Sequence, residues 1–400
     1  MERVFIVSAK RTAIGKFLGS LADVPVANLG VAVVKNIIEE TKINPAKIDE
    51  VIVGNILMAG QGQGIARQIS VNSNIPVEVP AYGINMICGS GLKSVMNAYN
   101  SIRAGEANMI IAGGAESMSG AGFILPSRSR NGLKMGDFKM IDHMINDSLT
   151  DAFTGVHMGI TAENIAEKYN ITREEQDEFA INSQNKAISA IDNGRFNDEI
   201  VPFEIITKKN TIVFNQDEFV NRNTSLEKLN SLRPAFKKDG TVTAGNASGI
   251  NDGAAFVLLV SEKALKEYNL TPLCEIEAVG QGGVEPSIMG MGPVPAIGNA
   301  LSKTNLKLSD IEVLELNEAF ASQSLGVQRE LIANHGVSKE WLNERTNKNG
   351  GAIALGHPVG ASGTRILVSL IHEMKRSNNK YGLASLCIGG GMGTAIIIKR

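Results

Sequence analysis

Asn44-Pro45-Ala46-Lys47-Ile48-Asp49-Glu50-Val51 ends a helical pattern and runs into a short β-branched stretch. Lys307-Leu308-Ser309-Asp310-Ile311-Glu312-Val313 repeats that passage late in the chain. The helical patterns ahead of them open alike, on Pro25-Val26-Ala27 and Pro295-Ala296. Proline suits a first helical turn, where its missing N–H has no partner to lose. Working outward, each copy next meets a glycine-rich turn before a helix, Cys88-Gly89-Ser90-Gly91 in one and Gly360-Ala361-Ser362-Gly363 in the other. Each of those helices leads to a strand ending in paired glycines, Gly113-Gly114 and Gly389-Gly390. The same blocks in the same order imply two copies of one α/β unit.

Short apolar runs at residues 4–7, 51–53, 109–112, 256–260, 313–316, 383–388 and 394–398 read as buried strands. Helical periodicity marks residues 27–41, 91–104, 161–169, 174–193, 319–334 and 363–375, with Thr172 and Glu175 spaced as a capping box. Between the halves the texture turns to glycine, methionine and charge. That divides the chain into a first unit at residues 1–119 plus 251–270, an inserted loop domain at 120–250, and a second unit at 271–400. At 400 residues the chain exceeds a single ordinary core.

A formal net charge of −2 lacks the basic excess of a nucleic-acid binder, so an anionic ligand must be held by local groups. Cys88, Cys274 and Cys387 are too few and too scattered for a disulfide framework or a zinc site. Met1-Glu2-Arg3-Val4 enters a strand at once, without a signal or transit pattern, and no apolar run reaches the ~20 residues of a membrane span. A cytoplasmic protein without membrane or metal is expected.

Four places carry candidate chemistry. Cys88 sits at a strand-to-helix turn, where free N–H groups and the helix dipole favour the nucleophilic thiolate; a buried structural cysteine is the bland alternative. His357, in Gly356-His357-Pro358-Val359-Gly360, stands on a rigid turn and could take the Cys88 proton. Cys387 enters Gly389-Gly390-Gly391, a turn that could aim N–H groups at an oxyanion or simply close a hairpin. Asn317, in Asn317-Glu318-Ala319-Phe320, follows a strand and could orient a water or cap a helix.

Together with Asn246-Ala247-Ser248-Gly249-Ile250-Asn251-Asp252-Gly253, these motifs resemble the thiolase family in kind, order and spacing, along the whole chain. The resemblance implies a five-layered αβαβα core of two duplicated α/β units, with the site between the halves. It implies Cys88 as the acylated nucleophile, His357 as its base, Cys387 as the acid–base at the α-carbon, and Asn317 as holder of a water. The N–H groups of Cys88 and Gly389 would form an oxyanion hole, where one donor is typically worth ~3 kcal/mol.

Coenzyme A thioesters would be substrates, with no permanently bound cofactor: acetyl-CoA, acetoacetyl-CoA and CoA itself. The resemblance points for CoA to Leu149, His157, Met158, Arg222, Ala244, Ala247, Ser248, Ile250, Ala319 and Phe320, with Arg222 among Lys208, Lys209, Lys228 and Lys237. Residues 223–229 run one residue shorter than the family pattern, and Lys228 replaces a small polar residue. Gly155-Val156-His157-Met158-Gly159 and Met289 resemble the short-chain, biosynthetic-type branch; a 3-ketoacyl-CoA thiolase for longer chains is the nearest rival, and a silent acyl-CoA-binding protein a distant one. Residues 117–130 resemble the loop that assembles a homotetramer, a dimer of dimers.

Overall fold

The computed structural model describes residues 2–206, 208 and 210–400; Met1 and Lys209, both used in the sequence reading, lie outside the described residues. The first unit contributes β1 (Val4–Thr12), β2 (Glu50–Gly54), β3 (Ala81–Ile84), β4 (Met109–Ser117) and β5 (Asn251–Ser261). The second contributes β6 (Cys274–Gly283), β7 (Val313–Leu316), β8 (Tyr381–Ile388) and β9 (Met392–Lys399). Their order across the sheet is β7-β8-β9-β6-β1-β5-β4-β2-β3.

The pairing scheme repeats between the halves. In each, the first strand pairs antiparallel with the last, the last antiparallel with the one before it, and that one parallel with the second. Even the irregularity recurs, with a register shift between Ile6 and Ser8 in β1 and between Ile276 and Ala278 in β6. The halves meet through β1 and β6 at Phe5↔Glu275 and Ile6↔Cys274.

Period-2 alternation explains the layers, because successive side chains leave opposite faces of a strand. Val4 and Ile6, Val257 and Leu259, Ile396 and Ile398 face a central layer with helices α2 (Ser90–Ala104) and α7 (Ser362–Ser377). Phe5 and Val7, Phe256 and Leu258 face the other way, against α1 (Val26–Thr41). Ala395 and Ile397 likewise pack on α5 (Pro293–Leu301). Helix, sheet, helix pair, sheet and helix make five layers. Both faces of these strands are buried, so each large aliphatic residue contributes roughly 1.5–3 kcal/mol of transfer free energy.

The insertion carries α3 (Met158–Lys168) and α4 (Arg173–Asp192), the latter opened by the Thr172–Glu175 capping box. Helix α3 packs against α6 (Ala321–His335) of the second unit, which ties the insertion down beside the site. Among the described residues no helix is long and apolar enough to cross a membrane.

Observed strands outrun the predicted ones at glycines. A Cβ on Gly114 would stand 2.1 Å from the Gly360 carbonyl oxygen, so the paired glycine inside β4 serves close approach rather than ending the strand. Strand β6 was not predicted, because exposed and charged positions interrupt its apolar pattern.

Candidate active site

Cys88 lies two residues ahead of α2, on a turn built under strain. Ile87 has φ 47°, a left-handed conformation that β-branched residues avoid. The Ser90 hydroxyl holds it there, donating to the Ile87 carbonyl at 2.6 Å and accepting from Met86 N–H at 2.9 Å. Strain of this kind persists where surrounding structure over-determines it, and here it brings the sulfur to a cavity wall. The expectation of a resting thiolate is corrected: burial pushes the Cys88 thiol up to about 11, outweighing the opposing pull of the Gly389 and Cys88 N–H groups. Those N–H groups nevertheless reach the sulfur.

His357 is pulled down to about 3, by burial first and the nearby Arg365 charge second, so its ring is neutral. Its Nδ1 lies 2.6 Å from Ser362 Oγ, and that hydroxyl donates its single proton to the Pro358 carbonyl at 2.9 Å. With the hydroxyl proton assigned to that bond, Ser362 accepts from Nδ1–H, which leaves Nε2 as the basic nitrogen. Cysteine and histidine rest as thiol and neutral imidazole.

Cys387 is the penultimate residue of β8, paired with Gly393, and Ile388↔Met392 closes a hairpin through Gly390 and Gly391 at φ 81° and 86°. The hairpin and site readings coexist, since the same turn presents Gly389 N–H to Cys88. Burial raises the Cys387 thiol first, and Cys88 adds to it, which puts the two sulfurs in one neighbourhood. Asn317 is 2% exposed, and neither its Oδ1 nor its Nδ2 has a hydrogen-bond partner. It caps no helix: the N-cap of α6 is Phe320.

A cavity of about 440 Å³ is lined by Cys88, His357 and mostly apolar side chains, while Cys387 and Asn317 are not among its lining residues. Leu149, His157, Met158, Ala244, Ala247, Ser248, Ile250, Met289, Ala319 and Phe320 all lie on its wall. Backbone bridges bring them there, Ala247 to Phe320 and Ile250 to His357. Arg222 does not join them. It is exposed and paired with Asp192 at 2.6 Å. An adjoining hollow of about 320 Å³ shares Phe219 and Ala244 and includes Lys228. Lys237 pairs with Glu167, so the basic cluster seen in the sequence is partly neutralised.

The family models for the thiolase N-terminal and C-terminal domains match residues 4–263 and 270–400. This chain belongs to the thiolase family. It is 52% identical to an acetyl-CoA acetyltransferase of Cupriavidus necator, with all of both chains covered. Solved structures include an acetyl-CoA acetyltransferase of Bacillus anthracis, 42% identical with TM-score 0.95, covering 100% of this chain and 99% of that one. A human mitochondrial 3-ketoacyl-CoA thiolase in complex with CoA is 44% identical, with TM-score 0.93 over 100% and 98% of the two chains.

Several supports of this thiolase site escaped the sequence reading. Asn251 accepts from His357 N–H through Oδ1 at 2.9 Å and donates to the Gly15 carbonyl, fixing the histidine backbone. Glu116 accepts from Ile56, Leu57 and Gly360 N–H groups and from Asn55 Nδ2, tying the Gly360 turn to the first unit. Phe236 stacks on His157 at 4.7 Å and meets Phe320 edge-on at 6.2 Å. The Nδ1 atom of His157 accepts from Gly159 N–H, so its Nε2 carries the proton. Only Asn251 lay in a quoted motif; the rest had no local signal.

Proposed function

We propose that this thiolase is an acetyl-CoA C-acetyltransferase, joining two acetyl-CoA into acetoacetyl-CoA and CoA through an acetyl-Cys88 intermediate, reversibly. The observation that carries the reading is one cavity lined by both Cys88 and His357, with Gly389 N–H acting on the Cys88 sulfur.

As Cys88 attacks the thioester carbonyl, its proton passes to Nε2 of His357. The imidazolium returns that proton to the departing CoA sulfur, leaving acetyl-Cys88. The N–H groups of Cys88 and Gly389 face the oxygen on which charge develops. In the second half, Cys387 yields its proton to the imidazole and takes the α-proton of a new acetyl-CoA. His357 and a water on Asn317 stabilise the enolate, whose carbon attacks the acetyl-Cys88 carbonyl. The expelled Cys88 sulfur regains a proton from the imidazolium. Protons balance over the cycle.

The apolar residues of that wall suit a pantetheine arm, with the Ser248 hydroxyl and His157 as polar anchors. The nucleotide end then runs toward the hollow containing Lys228 rather than toward Arg222. Buried Met289, 4% exposed, limits the acyl end to short chains. The division into two catalytic units with residues 120–250 as a loop domain belongs to this reading, as do the homotetramer and a cytoplasmic location. Phe123, Leu125, Met135 and Met140 are exposed and offer apolar surface for such assembly.

Brief exposure to acetyl-CoA followed by mass spectrometry tests the nucleophile: an acetyl group on Cys88 is expected. Cys88→Ser should abolish acyl transfer while CoA still binds, and near-normal turnover in that variant overturns the assignment. The human 3-ketoacyl-CoA thiolase among the similar structures keeps a longer-chain reading in play. Good turnover of medium or long ketoacyl-CoAs would replace the short-chain reading with it.

A further inference from the structure

The cavity lined by Cys88 and His357 continues into the adjoining hollow of about 320 Å³, because Phe219 and Ala244 line both. Lys228 lines the hollow and not the cavity. Among the described residues it is the only charged side chain on that wall. Phe219, Leu229, Leu232 and Ile353 supply apolar surface there, and Asn221 and Thr224 supply neutral polar groups. Apolar walls with one cation suit a flat, uncharged group that carries an anion beside it.

The lysine is held in place from both ends. The Ser225 hydroxyl accepts from Lys228 N–H at 3.3 Å, and Nζ donates to the Asn223 carbonyl at 2.7 Å. Asn221 closes that turn by accepting from Asn223 N–H at 3.0 Å. A carbonyl occupies one donor of the ammonium and cancels none of its charge. Among the described residues no carboxylate pairs with Lys228; Glu227, its neighbour in the chain, does not line the hollow. The cations around it are placed otherwise. Both oxygens of Asp192 hold Arg222, at 2.6 and 3.2 Å. Lys237 pairs with Glu167 at 3.3 Å, and Lys16 stands 4.0 Å from Glu218. Lys208, Arg233 and Lys238 are exposed but lie off the wall of the hollow. An anion entering the hollow finds one counter-charge on its wall, and it is Lys228.

The covalent order of coenzyme A says which anion that is. Outward from the thiol come pantetheine, pyrophosphate, then a ribose bearing the 3′-phosphate and adenine. With the arm in the cavity, the pyrophosphate falls at the threshold that Phe219 and Ala244 form, and the adenosine enters the hollow beyond. We propose that Lys228 is a specificity-determining residue that reads the 3′-phosphate of coenzyme A, so that this enzyme distinguishes CoA from 3′-dephospho-CoA. The proposal rests on the reading of the cavity as the pantetheine channel, and adds which group of the nucleotide is recognised and by what. A phosphate monoester carries about −1.5 to −2 charge at pH 7, and the ammonium protons left free by Asn223 suit its oxygens.

The test is calorimetric titration of the substrate-free enzyme with CoA and with 3′-dephospho-CoA at low salt. The parent should bind CoA about fivefold more tightly than the dephospho form, the upper range for a solvent-exposed ion pair. Lys228→Met should bring that ratio to about one by weakening CoA alone, and Lys228→Arg should keep it. Arg222→Met should leave the ratio as in the parent, because that guanidinium is already paired with Asp192. Added salt should shrink the ratio in the parent and not in Lys228→Met. A parent ratio near one overturns the proposal, as does loss of discrimination in Arg222→Met. Equal weakening of both ligands by Lys228→Met also overturns it, and would place the lysine at the pyrophosphate. Acetylation of parent Cys88 by acetyl-CoA is scored separately. Its absence beside the expected ratios sinks the proposed acyl transfer and leaves the phosphate reading standing, whereas a parent that binds no CoA sinks both.

Discussion

Replacing Ser362 by alanine removes a hydroxyl that is fully buried and makes two bonds, accepting from His357 Nδ1–H at 2.6 Å and donating to Pro358 O at 2.9 Å. In the resting enzyme the imidazole is neutral, so the first of these is an ordinary hydrogen bond worth about 1 kcal/mol. When His357 takes the Cys88 proton the same bond gains a charged donor, and such bonds are worth about 1.5–3 kcal/mol. Only the difference, roughly 1.5 kcal/mol, acts on the rate, because catalysis counts what strengthens in the transition state. Ser362→Ala should therefore lower kcat/KM for acetoacetyl-CoA thiolysis about tenfold. Substrate binding should change little, since Ser362 does not line the cavity. Stability should also fall, by about 1–3 kcal/mol, as the buried His357 Nδ1–H loses its acceptor, while the Pro358 carbonyl keeps the Ala361 and Ser362 N–H donors. Initial rates from the loss of acetoacetyl-CoA enolate absorbance, with thermal melts alongside, measure both. A kcat/KM within twofold of the parent in a folded variant would refute the assignment of tautomer and base.

The depressed His357 predicts two pH effects. A group whose folded value lies below its unfolded value of 6.5 contributes stability that is complete above 6.5 and is lost as pH falls toward about 3; denaturant melts across that window measure it. For the same reason the acid limb of kcat/KM should not appear near pH 6.5, and a limb there would show that the ring titrates normally. Above about pH 7, the value to which burial raises Glu116, Glu116→Gln should destabilise the fold by roughly 2–4 kcal/mol, because an amide NH2 would face N–H donors now shared between two carboxylate oxygens; an unchanged melt at pH 8 contradicts this. Phe236→Ala, which removes the ring stacked on His157, should raise the Kd for CoA by at least tenfold in calorimetry, with acylated Cys88 still detectable by mass spectrometry.

The doubled unit was legible because its signals are local. Strand Val313–Leu316 matches its predicted limits, and the Thr172–Glu175 capping box forms as its spacing implies. Strand β6 was hidden because Glu275 and Glu277 alternate with Cys274 and Ile276, leaving no apolar run at the seam between halves. The four reactive residues stood out because each sits at a glycine turn or strand end. Their supports did not, since Glu116 reaches Gly360 across 244 residues and Asn251 reaches His357 across 106, and no local pattern encodes such contacts. The thiolate favoured at Cys88 by its turn gives way for a related reason: dipoles are read from neighbours in sequence, while burial comes from residues far apart in the chain, Ile56, Leu57, Met118, Met144 and Val359 among them.

Strand β5 lies between β1 and β4, yet it leaves the ribosome only after the whole insertion has been made. From Ser117 to Asn251, at a synthesis rate of about 5–20 residues per second, both flanking strands wait roughly 7–27 seconds with bare edges. Newborn chains of this protein should thus pass through an interval of sticky, half-built sheet, during which a holdase would find its best grip.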